Sequence, residues 1–504
     1  MSHNGFSRRY FFFGSLAATV PLAGFGRSGS LRALGYKSPN EKLNIASIGA
    51  GGKAASDIRG CSSENIVALC DPDDKQAANI YKQYESTPKY KDFRKMLDKE
   101  AKNIDAVIIA IPDHMHATAA MWCMERGKHV YCQKPLTRTI WEARQLTEAA
   151  AKFKVATQMG NQGYSNEGTR QLAEMIWSGE IGAVNEVHAW TNRPIWPQGL
   201  TEQPKEAAVP STLDWDTWIG IQSMRPYQVD EKGAGAQAPF AWRGYFDFGC
   251  GALGDMACHI LGAPNMALML GAPTSAECIS QEGKSSFMFP KKSVIRFDFP
   301  ARGSMPAVKI FWHDGMGGPP ERPQGIPASE WLGDLPRPQR PEGAGAPPAS
   351  RGRAEMQPIG PVFDAERIKD LPALPADRPT GGRAPADANG SLFIGEKGFI
   401  TTGTYGENTR LVPVERMRDY KWPAELLTRS PGHYRDWIRA CKGGDPACSN
   451  FSIAGPFTEW ILVGTLALRF PGKLEWDSAK MRVTNVPEAN QLIKPKFRKG
   501  WSFT

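Results

Sequence analysis

The stretch Leu43-Asn-Ile-Ala-Ser-Ile48 runs directly into Gly49-Ala-Gly51-Gly52-Lys53-Ala54. An apolar run compatible with a buried strand ends in a glycine-rich turn, and a helix-compatible stretch follows. Gly49 permits the tight turn, and Gly51 lets a pyrophosphate approach the backbone. Ala54, at the third position, lets the helix pack close to the strand. The first N–H groups of that helix are then available to a phosphate. A second apolar run, Ile66-Val-Ala-Leu-Cys70, ends at Asp71, 22 residues beyond Gly49. A carboxylate there would accept the hydroxyls of an adenosine ribose. A glycine pattern alone is weak, but glycines, acid and strand–turn–helix order together predict a dinucleotide site built from Gly49, Gly51, Gly52, Ala54 and Asp71. The Asp71 carboxylate would repel a 2′-phosphate, so the cofactor expected is NAD rather than NADP.

Outward from this stretch the alternation continues. Ile104–Ile111 reads as a central parallel strand buried on both faces, stopped by Pro112. Helices are predicted over 116–126 and 139–153, with strands at His129–Cys132 and Val155–Met159. This is the rhythm of a doubly wound sheet ending near residue 163. A different pattern follows: a helix near 166–178, then alternation over Val184–Thr191 that suggests a strand with one exposed face. Aromatics cluster next, at Trp190, Trp196, Trp215, Trp218, Tyr227, Trp242 and Tyr245. Later strand candidates are 293–299, 306–312, 391–395 and 398–402, with helices at 431–441 and 456–469. Residues 314–390 hold 15 of the chain's 40 prolines and little periodicity, and read as an irregular excursion. The division expected is a leader and linker over 1–40, a dinucleotide-binding domain over 41–163, and a second α/β domain over 164–504.

Ser7-Arg8-Arg9-Tyr10-Phe11-Phe12 is a twin-arginine export pattern, followed by an uncharged, apolar and small-residue stretch to Phe25. That stretch is short for a membrane span, which needs about 20 residues. Export to the periplasm by the twin-arginine machinery is expected, and this route carries folded proteins with cofactor already loaded. The formal charge is +9, but Arg8, Arg9, Arg27, Arg32 and Lys37 precede the first acid, leaving about +4 beyond it. A mildly basic balance gives no case for nucleic acid. The nine cysteines show no paired zinc-type spacing, so no metal is expected. Cys441 and Cys448 alone are close enough to suggest a local disulfide.

Ligands of open α/β sheets gather at the carboxyl ends of the strands. Three segments there carry polar groups: Pro112-Asp113-His114-Met115-His116, Gln133-Lys134-Pro135, and Asn161. A lysine after a buried strand could have its pKa lowered enough for acid–base work, although alone it is more often simply solvated. In Gly251-Ala-Leu-Gly-Asp255-Met-Ala-Cys-His259, the acid and imidazole stand four residues apart on one helix face. They could present a carboxylate-oriented imidazole to a cleft, or form only a surface contact.

The combination resembles the Gfo/Idh/MocA oxidoreductases, the glucose-fructose oxidoreductase and inositol dehydrogenase family, and in particular exported branches of it. The glycine loop, Asp113-His-Met-His116, Gln133-Lys134-Pro135 and Asp255-x-x-x-His259 occur in that family's order over residues 43 to about 260. The resemblance implies an N-terminal Rossmann domain and a C-terminal α/β domain with a large, mostly antiparallel sheet that often forms a dimer contact, so a homo-oligomer is expected. It puts Lys134 beside a nicotinamide, with Gln133 replacing the family's usual glutamate. It makes Asp255 and His259 the substrate-side acid and histidine, and has Asp113, His116, Gln133 and Asn161 line the nicotinamide half of NAD. The activity implied is hydride transfer between a sugar or polyol carbon and the nicotinamide. His259 would take the hydroxyl proton, Asp255 would orient it and Lys134 would polarise the oxygen.

Tryptophan and arginine density in the second domain suits a small carbohydrate or polyol. Trp190, Arg193, Trp242, Arg243 and Asp247 are candidates for its contacts, with core packing the competing role for each tryptophan. Two other functions use the same residues. A retained NAD could oxidise a glycoside transiently and permit elimination, giving a glycoside hydrolase. A non-catalytic sugar-binding protein carrying the cofactor is the other.

Overall fold

The structure, a computed structural model, describes residues 41–336 and 387–503. The twin-arginine segment and most of the proline-rich excursion lie outside the described residues. The opening apolar run forms β1 (Asn44–Ile48), buried from Ile45 onward. β2 (Asn65–Cys70), β3 (Lys89–Tyr90), β4 (Ala106–Ile109), β5 (His129–Cys132) and β6 (Thr157–Met159) complete a sheet of order β3-β2-β1-β4-β5-β6. Every pairing in it is parallel. All four residues of β4 are buried, as a strand covered on both faces requires. Strand order reverses between β1 and β4, which places a ligand crevice at the carboxyl ends of these two strands.

The connecting helices are α1 (Gly52–Gly60), α2 (Asp74–Gln83), α3 (Phe93–Glu100), α4 (Asp113–Glu125) and α5 (Ile140–Phe153). α4 starts three residues before the sequence reading placed it. Pro112 is its N-cap and Asp113 stands in its first turn, where a carboxylate suits the positive end of the helix. α5 opens with a capping box between Thr139 and Glu142.

α6 (Glu167–Trp177) leads into β7 (Val184–Trp190), and the chain then makes a long arm over 191–250 before returning to the sheet. The arm carries a ribbon of β8 (Lys205–Glu206) with β9 (Gln228–Val229), and a short helix α7 (Trp215–Ile219) between them. Its own small core gathers Trp215, Trp218, Tyr227, Trp242, Tyr245 and Phe248. Trp190 is buried in a separate cluster with Ile326 and Leu332. Much of the aromatic cluster therefore packs cores, and Trp190 is removed from any substrate role.

After the arm come α8 (Gly251–Ile260), α9 (Gly262–Ala267), β10 (Ser275–Glu282), β11 (Lys292–Phe299), β12 (Val308–Asp314), β13 (Gly390–Gly395), β14 (Gly398–Thr402) and β15 (Arg410–Val412). α10 (His433–Cys441), α11 (Phe451–Ala467), β16 (Lys473–Asp477) and β17 (Arg482–Val483) follow. The second sheet has the order β15-β14-β13-β7-β12-β11-β10-β16-β17. Its pairings are antiparallel except for β7 beside β12. α11 joins the two halves: Arg144 on α5 donates through Nε and Nη2 to the two oxygens of Glu459, each at 2.6 Å. α10 returns to the first domain, burying Trp437, Ile438 and Cys441 against Leu43, Ile45 and Ile58.

Cys441 and Cys448 are both free thiols, contrary to the disulfide their spacing suggests. Cys441 sits in the first domain's core, whereas Cys448 donates to Asp436 at 3.0 Å and accepts from Arg170. Among the described residues no group of three or more His, Cys, Asp and Glu could hold a metal, and no helix is long and apolar enough to cross a membrane.

Candidate active site

At the carboxyl end of β1 the chain turns through Gly49, whose φ is +97°. A Cβ there would stand 2.3 Å from the Ala110 carbonyl, and one on Gly51 would stand 2.6 Å from that of Gln76. Both positions need glycine, and Ala54 packs fully buried beneath the turn. Asp71 at the end of β2 is buried beside this loop. It accepts from the N–H of Ala50 at 2.8 Å, Gly51 at 3.2 Å and Asp73 at 3.0 Å. Burial raises its carboxyl and those three amides oppose the rise. Gly52, at φ +51°, has nothing within 4 Å of where a Cβ would be, so the outer face of the loop is an open cradle. The first-turn amides of α1 there lack helical acceptors. This donor set with an adjacent acid fits a dinucleotide.

The cradle opens into a cleft of about 1360 Å³ that runs between the two domains. Beneath its far end, Lys134 follows β5 and reaches across to α8. Its Nζ donates to the Asp255 carbonyl at 2.6 Å and to Asp255 Oδ1 at 2.8 Å. Arg243 Nε donates to the same Oδ1 at 3.2 Å. Burial alone would raise the Asp255 carboxyl, but Lys134 and Arg243 overcome it and hold the acid well below the usual carboxylate range. His259 lies one helical turn on, 6% exposed. Burial and then the Lys134 charge push its pKa well below the usual value, so the ring is neutral. Its Nδ1 is buried without a partner and its ring meets Tyr405 edge-on at 4.8 Å. Asp255 therefore pairs with the two cations. The sequence reading gave it the imidazole to orient, but two full positive charges outcompete a neutral ring for one carboxylate.

Gln133 donates from Nε2 to Asp57 Oδ2 at 2.8 Å. Asp57, fully buried on α1, also accepts from Tyr434 Oη at 2.7 Å and pairs with Lys53. A glutamate at 133 would face a second carboxylate here, which gives the glutamine a physical reason. Asp113 lines the cleft. Burial raises its pKa to about 7, with Arg243 and Lys134 pulling the other way. Because its folded-state pKa is raised, the proton it holds stabilises the fold at low pH. That contribution is lost as pH climbs from about 4 to about 7. Asp113→Asn is expected to flatten the unfolding midpoint over this window, as measured by urea titration at several pH values.

His116 and Asn161 stand elsewhere. Both ring nitrogens of His116 lie 2.8 Å from backbone carbonyls, those of Pro135 and Ile111. Burial lowers its pKa to about 4. It braces two turns and does not line the cleft. Asn161 is fully buried, contacts the Cys258 carbonyl at 3.4 Å, and is likewise behind the cleft wall. The resemblance assigned both to the nicotinamide. On the substrate side Arg193, Trp242 and Arg243 line the cleft, with the Arg243 guanidinium 4.2 Å over the Trp242 ring. Asp247 does not line it, because its carboxylate pairs with Arg225 at 2.7 Å.

Sequence reading missed Lys53, Asn192, Tyr405, His433 and Tyr434, all of which line the cleft. Lys53 lay within the glycine loop and could have been picked out. The last three lie more than 240 residues from that loop, with no local motif to announce them.

Residues 43–161 match the oxidoreductase family with an NAD-binding Rossmann fold, and residues 175–276 match the C-terminal alpha/beta domain of the same family. Over 171 residues the chain is 32% identical to inositol 2-dehydrogenase of Salmonella paratyphi B, covering 33% of this chain and 50% of that protein. Over 199 residues it is 30% identical to inositol 2-dehydrogenase of Serratia proteamaculans, covering 36% and 58%. The chain thus spans about half the length of these curated relatives. In fold it is similar to the WlbA dehydrogenase from Bordetella pertussis, solved with NADH and UDP-GlcNAcA. The TM-score there is 0.53 at 12% identity, over 88% of this chain and 99% of that one. Two stretches of this chain, residues 43–161 and 175–276, are thus similar to the NAD-binding and C-terminal domains of one oxidoreductase family, Gfo/Idh/MocA.

Proposed function

We infer that this protein is an NAD-dependent oxidoreductase acting on a CH–OH group of a small carbohydrate or polyol. One observation carries the reading. Lys134 from the nucleotide-binding domain and His259 from the substrate domain meet in one cleft around Asp255, and that cleft begins at the glycine loop. The similarity to inositol 2-dehydrogenases supports the substrate class.

Bound NAD supplies the hydride acceptor at C4 of its nicotinamide. The chain's own groups manage the proton and the charge. Neutral His259 accepts the hydroxyl proton as the carbon is oxidised. Two of the three Nζ donors of Lys134 are committed to Asp255, leaving one for the substrate oxygen. Asp255, itself held by Arg243, keeps that ammonium in place, and the partly buried site strengthens its field. Asp71 favours NAD over NADP. His259→Ala is expected to abolish reduction of NAD by a panel of polyols and sugars while NADH still binds. Absorbance of the reduced nicotinamide follows the first and its fluorescence the second. Reduction at the parent rate in His259→Ala would remove the base from this account.

We further propose export. Arg8-Arg9 and the apolar stretch to Phe25 support a twin-arginine leader and a periplasmic destination. Lysines at both arginines should leave the protein in the cytoplasmic fraction. A homo-oligomer is proposed on the size of the nine-stranded sheet, with light scattering on the purified chain as the check.

A further inference from the structure

The arm over 191–250 also reaches the glycine-loop end of the cleft. Its segment at 212–218 crosses the loop that follows β2, beside Asp71. Leu213 bridges Asp73 in antiparallel fashion, the Asp74 N–H donates to the Thr212 carbonyl at 3.1 Å, and the Asp214 N–H donates to the Pro72 carbonyl at 2.8 Å. Thr217 and Trp218 line the cleft together with Asp71, Asp73 and Gln76. Trp218 is pinned in turn: it stacks on Trp215 at 4.9 Å, and the Trp218 carbonyl lies 3.1 Å from His114 Nε2. By general rule the adenosine half of a dinucleotide lies at the Asp71 end, so 212–218 is a roof over that half.

The roof's other margin is held from the far end of the chain. Arg498 donates through Nη1 to Asp216 Oδ1 at 2.6 Å, through Nη2 to the Asp216 carbonyl at 3.0 Å, and through Nε to the Gly220 carbonyl at 2.9 Å. Its own N–H donates to the Ile221 carbonyl at 2.9 Å. The tail around it is anchored: Trp501 lies under the Arg94 guanidinium at 3.8 Å and Phe503 packs on Trp141 at 4.9 Å. A planar fork on one carboxylate and two carbonyls fixes an orientation that a flexible ammonium could not. Arg498 does not line the cleft, so it acts only through the roof.

We propose that Arg498 is a positioning residue that latches the 212–218 roof over the adenosine half of bound NAD, so that its guanidinium fork governs how fast the nucleotide leaves. This rests on the dinucleotide reading above. Opening the roof breaks backbone bonds at 72–74 and the Arg498 fork together, and the release rate then reports the latch while hydride chemistry at Lys134 and His259 does not.

The test uses the full chain loaded with NADH and chased with excess NAD, following loss of nicotinamide fluorescence. Arg498→Ala is expected to release NADH at least about tenfold faster, Arg498→Lys by an intermediate factor, and the single-turnover oxidation of NADH already bound, by an added ketose or polyol-derived ketone that takes the hydride at its carbonyl carbon, should be unchanged. Phe503→Ala, which loosens the same tail without touching the roof, should lower the melting temperature but leave release at the parent rate. Asp216→Ala serves where Arg498→Ala fails to fold, with a smaller acceleration expected. Release at the parent rate in Arg498→Ala or Asp216→Ala, or equal acceleration in Phe503→Ala, would overturn the latch. A parent protein that binds no dinucleotide would instead overturn the function proposed above.

Discussion

Alanine at Lys134 is expected to lower kcat/KM for NAD-dependent oxidation by about 10³-fold while changing NADH affinity less than about threefold. The asymmetry follows from what Nζ touches. Two of its N–H groups hold Asp255, and the third is proposed to meet charge on the substrate oxygen that grows only as the reaction proceeds. Removing it therefore costs mostly in the transition state. Arg243 still pairs with Asp255 at 3.2 Å, so the acid is not abandoned in the variant and α8 should keep its place. Lys134→Arg is a sharper control. It keeps the charge but delivers it as a wide fork, and most of the loss should persist. A drop confined to KM, or an equal loss of NADH binding, would show that Lys134 holds ligand and does not polarise the reacting oxygen.

Glutamate at Gln133 is expected to destabilise the fold by about 3 kcal/mol at neutral pH. Gln133 and Asp57 are buried, and their contact is an amide N–H donated to a carboxylate at 2.8 Å. The substitution replaces that donor with a second carboxylate, leaving Tyr434 and Lys53 to serve two acids in place of one. One of the pair must then hold a proton, so its folded-state pKa rises. A raised folded pKa means stability is full at low pH and lost as pH rises through it. Urea midpoints of Gln133→Glu should therefore approach those of the parent at acid pH and diverge toward neutrality. Asp57→Asn in the same background restores one donor to one carboxylate and should recover most of the loss in a double-mutant cycle. A Gln133→Glu protein as stable as the parent at every pH would mean that the 133–57 contact is not a buried acceptor pair.

The first domain was legible because its information is local. A run such as Ile45–Ile48 buries every side chain, the turn at Gly49 tolerates no Cβ, and the acid at Asp71 stands at a fixed interval from both. Those constraints are written in neighbouring residues and survive any change in the rest of the fold. Lys134, Asp255 and His259 were named from short motifs, and their meeting in one cleft depends on how α8 docks. What the motifs could not carry was the pairing. Whether Asp255 turns to an imidazole four residues on or to a lysine 121 residues back is decided by tertiary charge, and Arg243 tips it further. His116 and Asn161 failed for a related reason: they follow the right strands, but backbone carbonyls at Pro135 and Ile111 take both ring nitrogens of His116, and the Cys258 carbonyl takes the Asn161 amide N–H. Asp247 was drawn off by Arg225 in the same way. Tyr434 and Arg498 carry no local signature at all, since each matters only through contacts made across most of the chain's length.

The most direct measurement titrates the purified full-length protein with NAD and identifies by mass any dinucleotide already bound, then adds polyols and sugars one at a time. One NAD per chain is expected, with NADP held more weakly, and reduced-nicotinamide absorbance should grow with at least one polyol or sugar and be lost in His259→Ala. A protein that neither carries nor takes up NAD would contradict the dinucleotide reading at its foundation. Tight NAD binding with no reduction by any carbohydrate or polyol, in parent and variant alike, would contradict the catalytic reading while leaving the cofactor site standing.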